Sequence, residues 1–424
     1  MMNILDFIRE CTDCWHTAAT VANILKEQGY SPLDEGDKWN LAPGGKYFVM
    51  RNMSSVISFK VPDSEPTGFM ISAAHGESPS FKIKAKPELA DKNYVRLNTE
   101  AYGGMILSSW MDRPLSVSGR VICDTADGLE TRLVRLDRDS LIIPSLAPHL
   151  NRDSKETNIL RDTPPLYALA ECSFMQEIAD TLNVSEEEIK GFDLMLYNRE
   201  EGRIWGCNNE FISAPRLDDL QCVYALLKGY TNSLPTSSVQ MYCVFDNEEV
   251  GSGTKQGAKS DFLPSVLGRI CESLNISYSE YMRLLNSSFM VSADNGHALH
   301  PNRRDMSDST CHPVIGGGVV IKYNASQKYT TDGVSEAIFR KICERADIPC
   351  QVYANRSDLP GGSTLGNLAA EKVCINTVDV GLAQLAMHSA FETAGTADTE
   401  AMQNVITEFY NSRIISHGGK YTIL

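Results

Sequence analysis

The sequence predicts an α/β protein with a mixed central sheet, helices on both faces of that sheet, and a β-rich segment inserted before the middle of the chain. Continuous apolar runs of strand length alternate with amphipathic helical patterns at the start of the chain and throughout its second half. Strands give such unbroken apolar runs when helices cover both faces of their sheet. Between residues 88 and 216 the pattern changes to shorter, partly alternating strands separated by turn residues.

The composition is that of a folded protein with a large core. Of the 424 residues, 42% are hydrophobic and 22% are charged, and this length suggests two domains or one domain with a large insertion. The net charge of −15 argues against nucleic acid or an anionic membrane surface as a partner. Acids interrupt the apolar N-terminus, and no run of about 18 apolar residues occurs, so we expect neither a signal peptide nor a membrane span. The twelve cysteines are scattered, and the one C-x-x-C pair, Cys11 and Cys14, has no second pair with which to form a structural zinc site. We therefore expect reduced thiols and a cytoplasmic location.

The α/β part is predicted to consist of residues 1–87 and 217–424. Its apolar strands are FMISAAH at 69–75, SSVQMYCVF at 237–245, SFMVSA at 288–293 and VCINTVDV at 373–380. Helical spacing of apolar residues marks 4–28, 217–230 and 396–410. Thr396 or Asp398 is the expected N-cap of the last helix.

The inserted segment is predicted to span residues 88–216. It contains the strand patterns PLSVSGRVICDT and ETRLVRLDRDSLIIP, with one convincing helix near 173–190. Partial alternation of apolar and polar residues is typical of strands with one buried face.

Polar residues follow the ends of the apolar strands. They are His75, the pair Glu248 and Glu249, Asp294 and His388, and Asp218 begins the helix after the insertion. In open α/β sheets, ligands bind beyond the carboxyl ends of the strands. Histidines and carboxylates that converge there are a ligand set typical of zinc.

The adjacent glutamates need an explanation, because two neighbouring carboxylates repel each other and are costly to bury. Such a pair is usually a solvated surface, and a lone histidine such as His312 is usually surface or core. Here the joint pattern favours a metal site. One glutamate would hold a cation while the other faces a metal-bound water and takes its proton.

Eight ordered motifs resemble the M18 family of metallo-aminopeptidases, the aspartyl aminopeptidases, over nearly the whole chain. The motifs are AHGESP at 74–79, YGGMILSSWMDRPLSVSGRV at 102–121, RLDDL at 216–220, FDNEEVGS at 245–252, ADNGHALHPN at 293–302, VIKYNASQKY at 320–329, GSTLG at 362–366 and MHS at 387–389. The resemblance implies the di-zinc exopeptidase fold. Residues 1–87 and 217–424 would form the catalytic domain, and 88–216 would be an inserted dimerisation domain.

The resemblance also implies two divalent ions per subunit, zinc in the first instance, with cobalt or manganese as alternatives. His75, Asp218 and Asp294 would hold one ion. Asp218, as a bridge, would hold the other ion together with Glu249 and His388. Glu248 would be the general base that activates the water between the ions. The second ion would take the free α-amine, which restricts cleavage to the N-termini of peptides.

Substrate contacts are implied for His297, Lys322 and Tyr329, and His149 resembles a family histidine that reaches into a neighbouring subunit's active site. Tyr329 could instead be a packed residue behind the site, and Lys322 could be an edge residue whose ammonium reaches solvent. A fixed ammonium at Lys322 would favour N-terminal Asp or Glu. Family members assemble as tetrahedral homododecamers built from dimers, so we expect self-association.

Four positions depart from the family pattern. Glu77 replaces the aspartate that orients the metal-binding histidine, so the contacts around His75 must shift. Asp219 replaces an asparagine beside the bridging ligand and adds negative charge. Gly361 replaces a cysteine, and Arg303 stands where an aromatic residue is common.

Three hypotheses follow. The first is a di-metal aminopeptidase that prefers acidic N-terminal residues. The second is an aminopeptidase of broad or neutral specificity, because Lys322 alone does not fix the pocket. The third is a catalytically silent assembly protein, against which the intact Glu248 and the full ligand set argue.

Overall fold

The computed structural model describes residues 2–150, 157–169, 172–359 and 361–424. The helices are α1 Ile4–Glu10, α2 Cys14–Glu27, α3 Ile159–Asp162, α4 Phe174–Leu182, α5 Leu217–Asn232, α6 Phe262–Ser273, α7 Tyr278–Asn286, α8 Gly333–Arg345, α9 Leu365–Ala370 and α10 Thr396–Asn411. The strands are β1 Ser31–Leu33, β2 Lys46–Arg51, β3 Ser55–Lys60, β4 Phe69–His75, β5 Ser80–Ala90, β6 Val95–Tyr102, β7 Leu115–Thr125, β8 Gly128–Arg135, β9 Leu166–Ala168, β10 Ile189–Asn198, β11 Arg203–Trp205, β12 Phe211–Ala214, β13 Val239–Phe245, β14 Phe289–Ala293, β15 Gly296–His297, β16 Val319–Tyr323, β17 Cys350–Ala354, β18 Asn376–Gly381, β19 Ala383–Leu385, β20 Glu392–Gly395, β21 Ile414–His417 and β22 Lys420–Ile423.

The central sheet is mixed and runs in the order β1-β2-β3-β13-β4-β14-β18-β16-β17. Its middle strands β13, β4, β14 and β18 are parallel, whereas β3 and β16 join this group antiparallel. The strands β4, β13 and β14 are buried along their full length, as their unbroken apolar sequences predict. Parallel neighbours bring their carboxyl ends to one edge, and that edge carries the predicted site.

Helices cover both faces of the central sheet. One core cluster contains residues of α1, α2, α5, α8 and α10, and the other contains residues of α6, α7 and α9. The predicted fold class, a mixed sheet between two helical layers, is therefore confirmed.

The second sheet runs in the order β8-β7-β10-β5-β6-β9 and has its own apolar core, against which α4 packs. It contains β5, which begins at Ser80, before the predicted start of the insertion at 88. Two strands near the end of the predicted segment, β11 and β12, belong instead to a third sheet, β11-β12-β20-β19-β15. Among the described residues, the β-rich layer thus lies between positions 80 and 198, and its status as a separate domain stays a prediction.

Two helical predictions differ from the structure. The predicted helix 4–28 is two helices, because the Asp13 side chain accepts hydrogen bonds from the backbone N–H groups of Trp15 and His16 and caps a new helix at Cys14. The helix predicted near 173–190 ends at Leu182, where Asn183 adopts a left-handed conformation. A short 3-10 helix and the start of β10 follow it.

No helix within the described residues is both long enough and apolar enough to cross a membrane.

Candidate metal centre

The five predicted metal ligands meet at the carboxyl edge of the central sheet. His75 is the last residue of β4, Asp294 follows β14 directly, and Glu249 lies in a short 3-10 helix, Glu248–Val250, after β13. Asp218 lies at the start of α5, where the backbone departs from helical geometry and the Asp218–Asp219 peptide is cis. His388 lies in the loop between β19 and β20.

Asp218 lies between the two histidines. Its Oδ1 is 3.4 Å from His75 Nε2, and its Oδ2 is 3.5 Å from His388 Nε2. Glu249 Oε1 also lies 3.5 Å from His388 Nε2. One carboxylate therefore faces both ends of the site, which is the arrangement expected of a ligand shared by two cations.

The side chains form two groups around this shared carboxylate. In the first group, His75, Asp218, Asp219 and Asp294 each offer one ligand atom within 4.8 Å of the others, and all four residues are buried. In the second group, Asp218, Glu249 and His388 do the same, but Glu249 and His388 are only half-buried. Glu248 joins His75 and Glu249 in a third set that meets the same criterion.

The carboxyl groups of the site are crowded. Burial, with the charges of Asp294, Glu77 and Asp218, raises the pKa of Glu248 to about 8. Burial and the charge of Asp218 raise the pKa of Glu249 well above its usual range. Burial opposes ionisation of Asp218 as well, but His388 and His75 together lower its pKa. Asp218 is thus the one of these three whose negative charge is well compensated by the protein itself.

The residues fit a pair of divalent cations. Oδ1 of Asp218 is buried and accepts no hydrogen bond within the described part of the chain. This oxygen is therefore available to bind an ion. Imidazole nitrogens and carboxylate oxygens are ordinary zinc ligands. A cation would also relieve the repulsion that raises the pKa values of the surrounding acids.

Glu77 contacts both ligand groups in different ways. Its main-chain carbonyl lies 3.0 Å from His75 Nδ1, and its carboxylate Oε2 is 3.7 Å from the same nitrogen. Its Oε1 accepts the backbone N–H of Glu249 at 3.1 Å. The longer side chain at position 77 therefore supports the Glu249 backbone, and the shorter contact to His75 comes from the peptide carbonyl.

Glu392 is a buried residue at the centre that the sequence reasoning missed. Its Oε1 accepts the backbone N–H of His388 at 2.7 Å, and its Oε2 accepts that of Asp218 at 2.9 Å. One carboxylate thus fixes two ligands from distant segments. In the sequence, Glu392 is simply an acid at the start of the short stretch ETAG. Neither hydrophobic periodicity nor a motif distinguishes it from an ordinary surface glutamate.

The predicted substrate residues His297, Lys322 and Tyr329 line a cleft of about 480 Å³ in front of the metal ligands. His297 is exposed at this cleft, and Tyr329 is buried, which raises its pKa to about 12. Lys322 is buried, and its Nζ donates to the carbonyls of Asp294 at 2.6 Å and Asn295 at 3.3 Å. The same Nζ is 3.5 Å from Asp294 Oδ2. The Lys322 ammonium therefore already has three oxygen neighbours.

His149 is not among the residues that line this cleft. It lies on an exposed turn at 148–150 in the β-rich part of the chain.

Comparison with known proteins gives a consistent result. The family described as aminopeptidase I zinc metalloprotease (M18) matches residues 7–410. A protein of Clostridium novyi named probable M18 family aminopeptidase 2 is 43% identical over 422 residues, which cover 96% of this chain and 98% of that protein.

Solved structures share the fold. The chain resembles a structure described as the complex of Ape4 and Nbr1, with a TM-score of 0.92 and 33% identity, covering 96% of this chain and 84% of that one. It also resembles a structure of the S. cerevisiae mApe1 dodecamer, with a TM-score of 0.85 and 24% identity, covering 96% and 95%.

Proposed function

This chain belongs to the M18 family of zinc aminopeptidases, and from that premise we propose that it removes acidic residues from the N-termini of peptides at a centre of two divalent ions. The observation that carries the proposal is the position of Asp218, with one carboxylate oxygen toward His75 and the other toward His388. His75, Asp218 and Asp294 would hold the first ion. Asp218, Glu249 and His388 would hold the second.

Zinc ions bound there would polarise the scissile carbonyl and the attacking water. Glu248 would accept the proton of that water and pass it to the departing amine. Bound cations would offset the repulsion that raises the pKa of Glu248 in the metal-free chain, and the ionised carboxylate could then accept the proton. The ion held by Asp218, Glu249 and His388 would bind a free α-amine, so the site would favour the N-termini of peptides.

A preference for N-terminal Asp or Glu rests on Lys322. Among the described residues that line the cleft, it is the one lysine or arginine. An ammonium in a partly dry cleft attracts a carboxylate side chain. The same residue supports the second candidate, an aminopeptidase of broad or neutral specificity, because its N–H groups already meet Asp294 and Asn295.

A substrate panel distinguishes the two candidates. Rates on Asp-, Glu-, Leu- and Ala-anilides are measured with zinc, cobalt and manganese in turn. With Lys322→Met, acid recognition predicts a loss of kcat/KM on the Asp substrate that exceeds the loss on Leu by about tenfold or more. Equal losses on both substrates would show that Lys322 only positions Asp294. Lys328→Met, at an exposed lysine nearby, is the matched control.

We also propose that the chain assembles into a tetrahedral homododecamer built from dimers, and that His149 reaches a neighbour's cleft. The exposed large apolar side chains in the β-rich part support an interface there. They include Leu146, Leu150, Ile159, Leu160 and Leu169. Light scattering tests this directly, since a mass near that of one chain contradicts it. His149→Ala should lower activity only if the assembled form is the active one.

A further inference from the structure

The second ligand group touches the β-rich layer. Gly103, in the turn after β6, has φ +73° and packs against Glu249, so that a Cβ there would lie 3.1 Å from Glu249 Cβ and 3.5 Å from its Oε2. This turn therefore packs directly against Glu249, a half-buried ligand of the second group.

The loop that carries His388 is also held from the β-rich layer. The backbone N–H of Ile106 donates to the His388 carbonyl at 3.0 Å. Two residues further along the loop, the Ala390 N–H donates to Ser109 Oγ at 2.8 Å, and Asn198 Nδ2 donates to the Ala390 carbonyl at 2.9 Å. Asn198 and Ala390 are buried, so water does not readily replace the hydrogen bond between them.

The first ligand group is held differently. His75 and Asp294 lie at the ends of adjacent parallel strands, β4 and β14, in the middle of the central sheet. The backbone N–H of His75 donates to the Asp219 carboxylate, and the imidazole of His75 lies against the main-chain carbonyl of Glu77. These positions follow from strand pairing and from residues near the ligands in the α/β part.

We propose that the β-rich layer completes the second metal site, with Ser109 and Asn198 as positioning residues that set the affinity for the second ion. This inference rests on the proposed two-ion centre. Second-layer hydrogen bonds fix the orientation of metal ligands, and their loss typically weakens metal binding about 10–100-fold. The β-rich layer would then set the affinity for one ion and leave the affinity for the other unchanged.

The test uses the full chain, stripped of metal and dialysed against buffers of fixed free zinc, with zinc per chain measured at each concentration. Ser109→Ala and Asn198→Asp should weaken binding of the second zinc about tenfold or more and leave the first unchanged. Asn198→Asp keeps the side chain's shape but removes the N–H that holds Ala390. Ser116→Ala is the matched control, since the buried bond from Ser116 Oγ to the Leu136 carbonyl involves neither a metal ligand nor the His388 loop.

Gly103→Ala gives a second test that does not depend on those hydrogen bonds. The added methyl group would press on Glu249, so the second zinc should again bind more weakly. Gly29→Ala is its control. Gly29 has φ +81°, but a methyl group added there would meet no atom within 4 Å, so this variant shares the backbone strain without the contact.

The outcomes separate the two proposals. If the unaltered chain binds a single zinc, the two-ion centre fails and the inference fails with it. If the unaltered chain binds two and the ratio of the two dissociation constants is unchanged in all three variants, the inference alone is wrong. A fall in thermal stability with an unchanged ratio also overturns it, because a merely structural role would give that result.

Discussion

The two ligand groups around Asp218 differ in burial and in what holds them. The side chain of His75 is 1% exposed and that of His388 is 34% exposed, although both imidazoles face the same carboxylate. In the first group, His75 and Asp294 lie at strand ends of the central sheet, whereas in the second group Glu249 lies in a short 3-10 helix and His388 lies in a loop. One centre therefore combines a rigid, enclosed half with a half that is open to the cleft.

This difference suggests a division of labour. A buried group with little freedom holds its ion firmly, since the ligands lose little entropy on binding and water has poor access. A more open group can exchange its ion and can also admit the α-amine of a substrate. Glu248 offers a carboxylate oxygen within 4.8 Å of ligand atoms of His75 and Glu249, one from each group, so the proposed reaction would need both groups at once.

The largest expected effect is at Glu248. Glu248→Gln should lower kcat about 10²–10⁴-fold, because the amide cannot accept the proton, while both zinc ions remain bound. Steady-state kinetics and zinc content per chain check this. Glu371→Gln, on an exposed glutamate, is the control. Full activity in Glu248→Gln would refute its role as the base, and loss of zinc would assign it to a ligand group.

The next effect is the difference in zinc affinity between the groups. We expect the second zinc to bind at least about tenfold more weakly than the first, a difference of about 1.4 kcal/mol. The His388→Ala variant should bind only one zinc. The Asp218→Asn variant should bind both zinc ions more weakly than the unaltered chain. Chelator titration with a colorimetric zinc readout measures both. If both ions were lost at the same chelator concentration, the expected difference in zinc affinity between the two groups would be wrong.

A smaller effect is expected in the pH dependence of stability. In the metal-free folded chain, burial raises the pKa of Glu248 to about 8 and the pKa values of Glu249 and Glu392 well above normal. The unfolded chain loses these protons near pH 4.5, so between about pH 4.5 and 8 it binds fewer protons than the folded chain and folding stability falls.

Zinc should remove most of this loss, because zinc ligands are ionised when they bind. The melting temperature of the zinc-loaded protein should exceed that of the chelator-treated protein by more at pH 8 than at pH 5.5, by about 2 °C or more. Scanning calorimetry at both pH values measures this. An equal zinc effect at the two pH values would contradict the protonated state of the buried acids.

The smallest effect is expected at Asp219. Its two carboxylate oxygens accept the backbone N–H groups of His75 at 3.4 Å and of Asn295 at 3.3 Å. After a change to asparagine, the remaining side-chain oxygen could still accept one of these N–H groups. Asp219→Asn should change the first ion's affinity less than about tenfold, with manganese weakened more than zinc because manganese prefers carboxylate oxygens. Calorimetric titration with each metal checks this. If only the affinity for the second ion changed, the assignment of Asp219 to the first ligand group would be wrong.

Much of the fold followed from local pattern. The strands β4, β13 and β14 lie within two residues of their predicted limits, because fully buried strands leave an unbroken apolar signature. The break at Asp13 and the early end of α4 were missed, since a single capping or left-handed residue outweighed continuing helical periodicity. The edges of the β-rich layer were also displaced, because strand partners decide which sheet a residue joins.

The sequence by itself determined the fold class, the family, and the residue types that gather at the carboxyl edge of the sheet. Strand-end position and motif spacing are local properties, so a linear reading is enough for them. Only the tertiary structure decided that Glu392 holds both Asp218 and His388, and that Ser109 holds the His388 loop. Ser109 and Ala390 are 281 positions apart, and Asp218 and Glu392 are 174 apart. No periodicity links such residues, because their hydrogen bonds form only after the sheets have packed together.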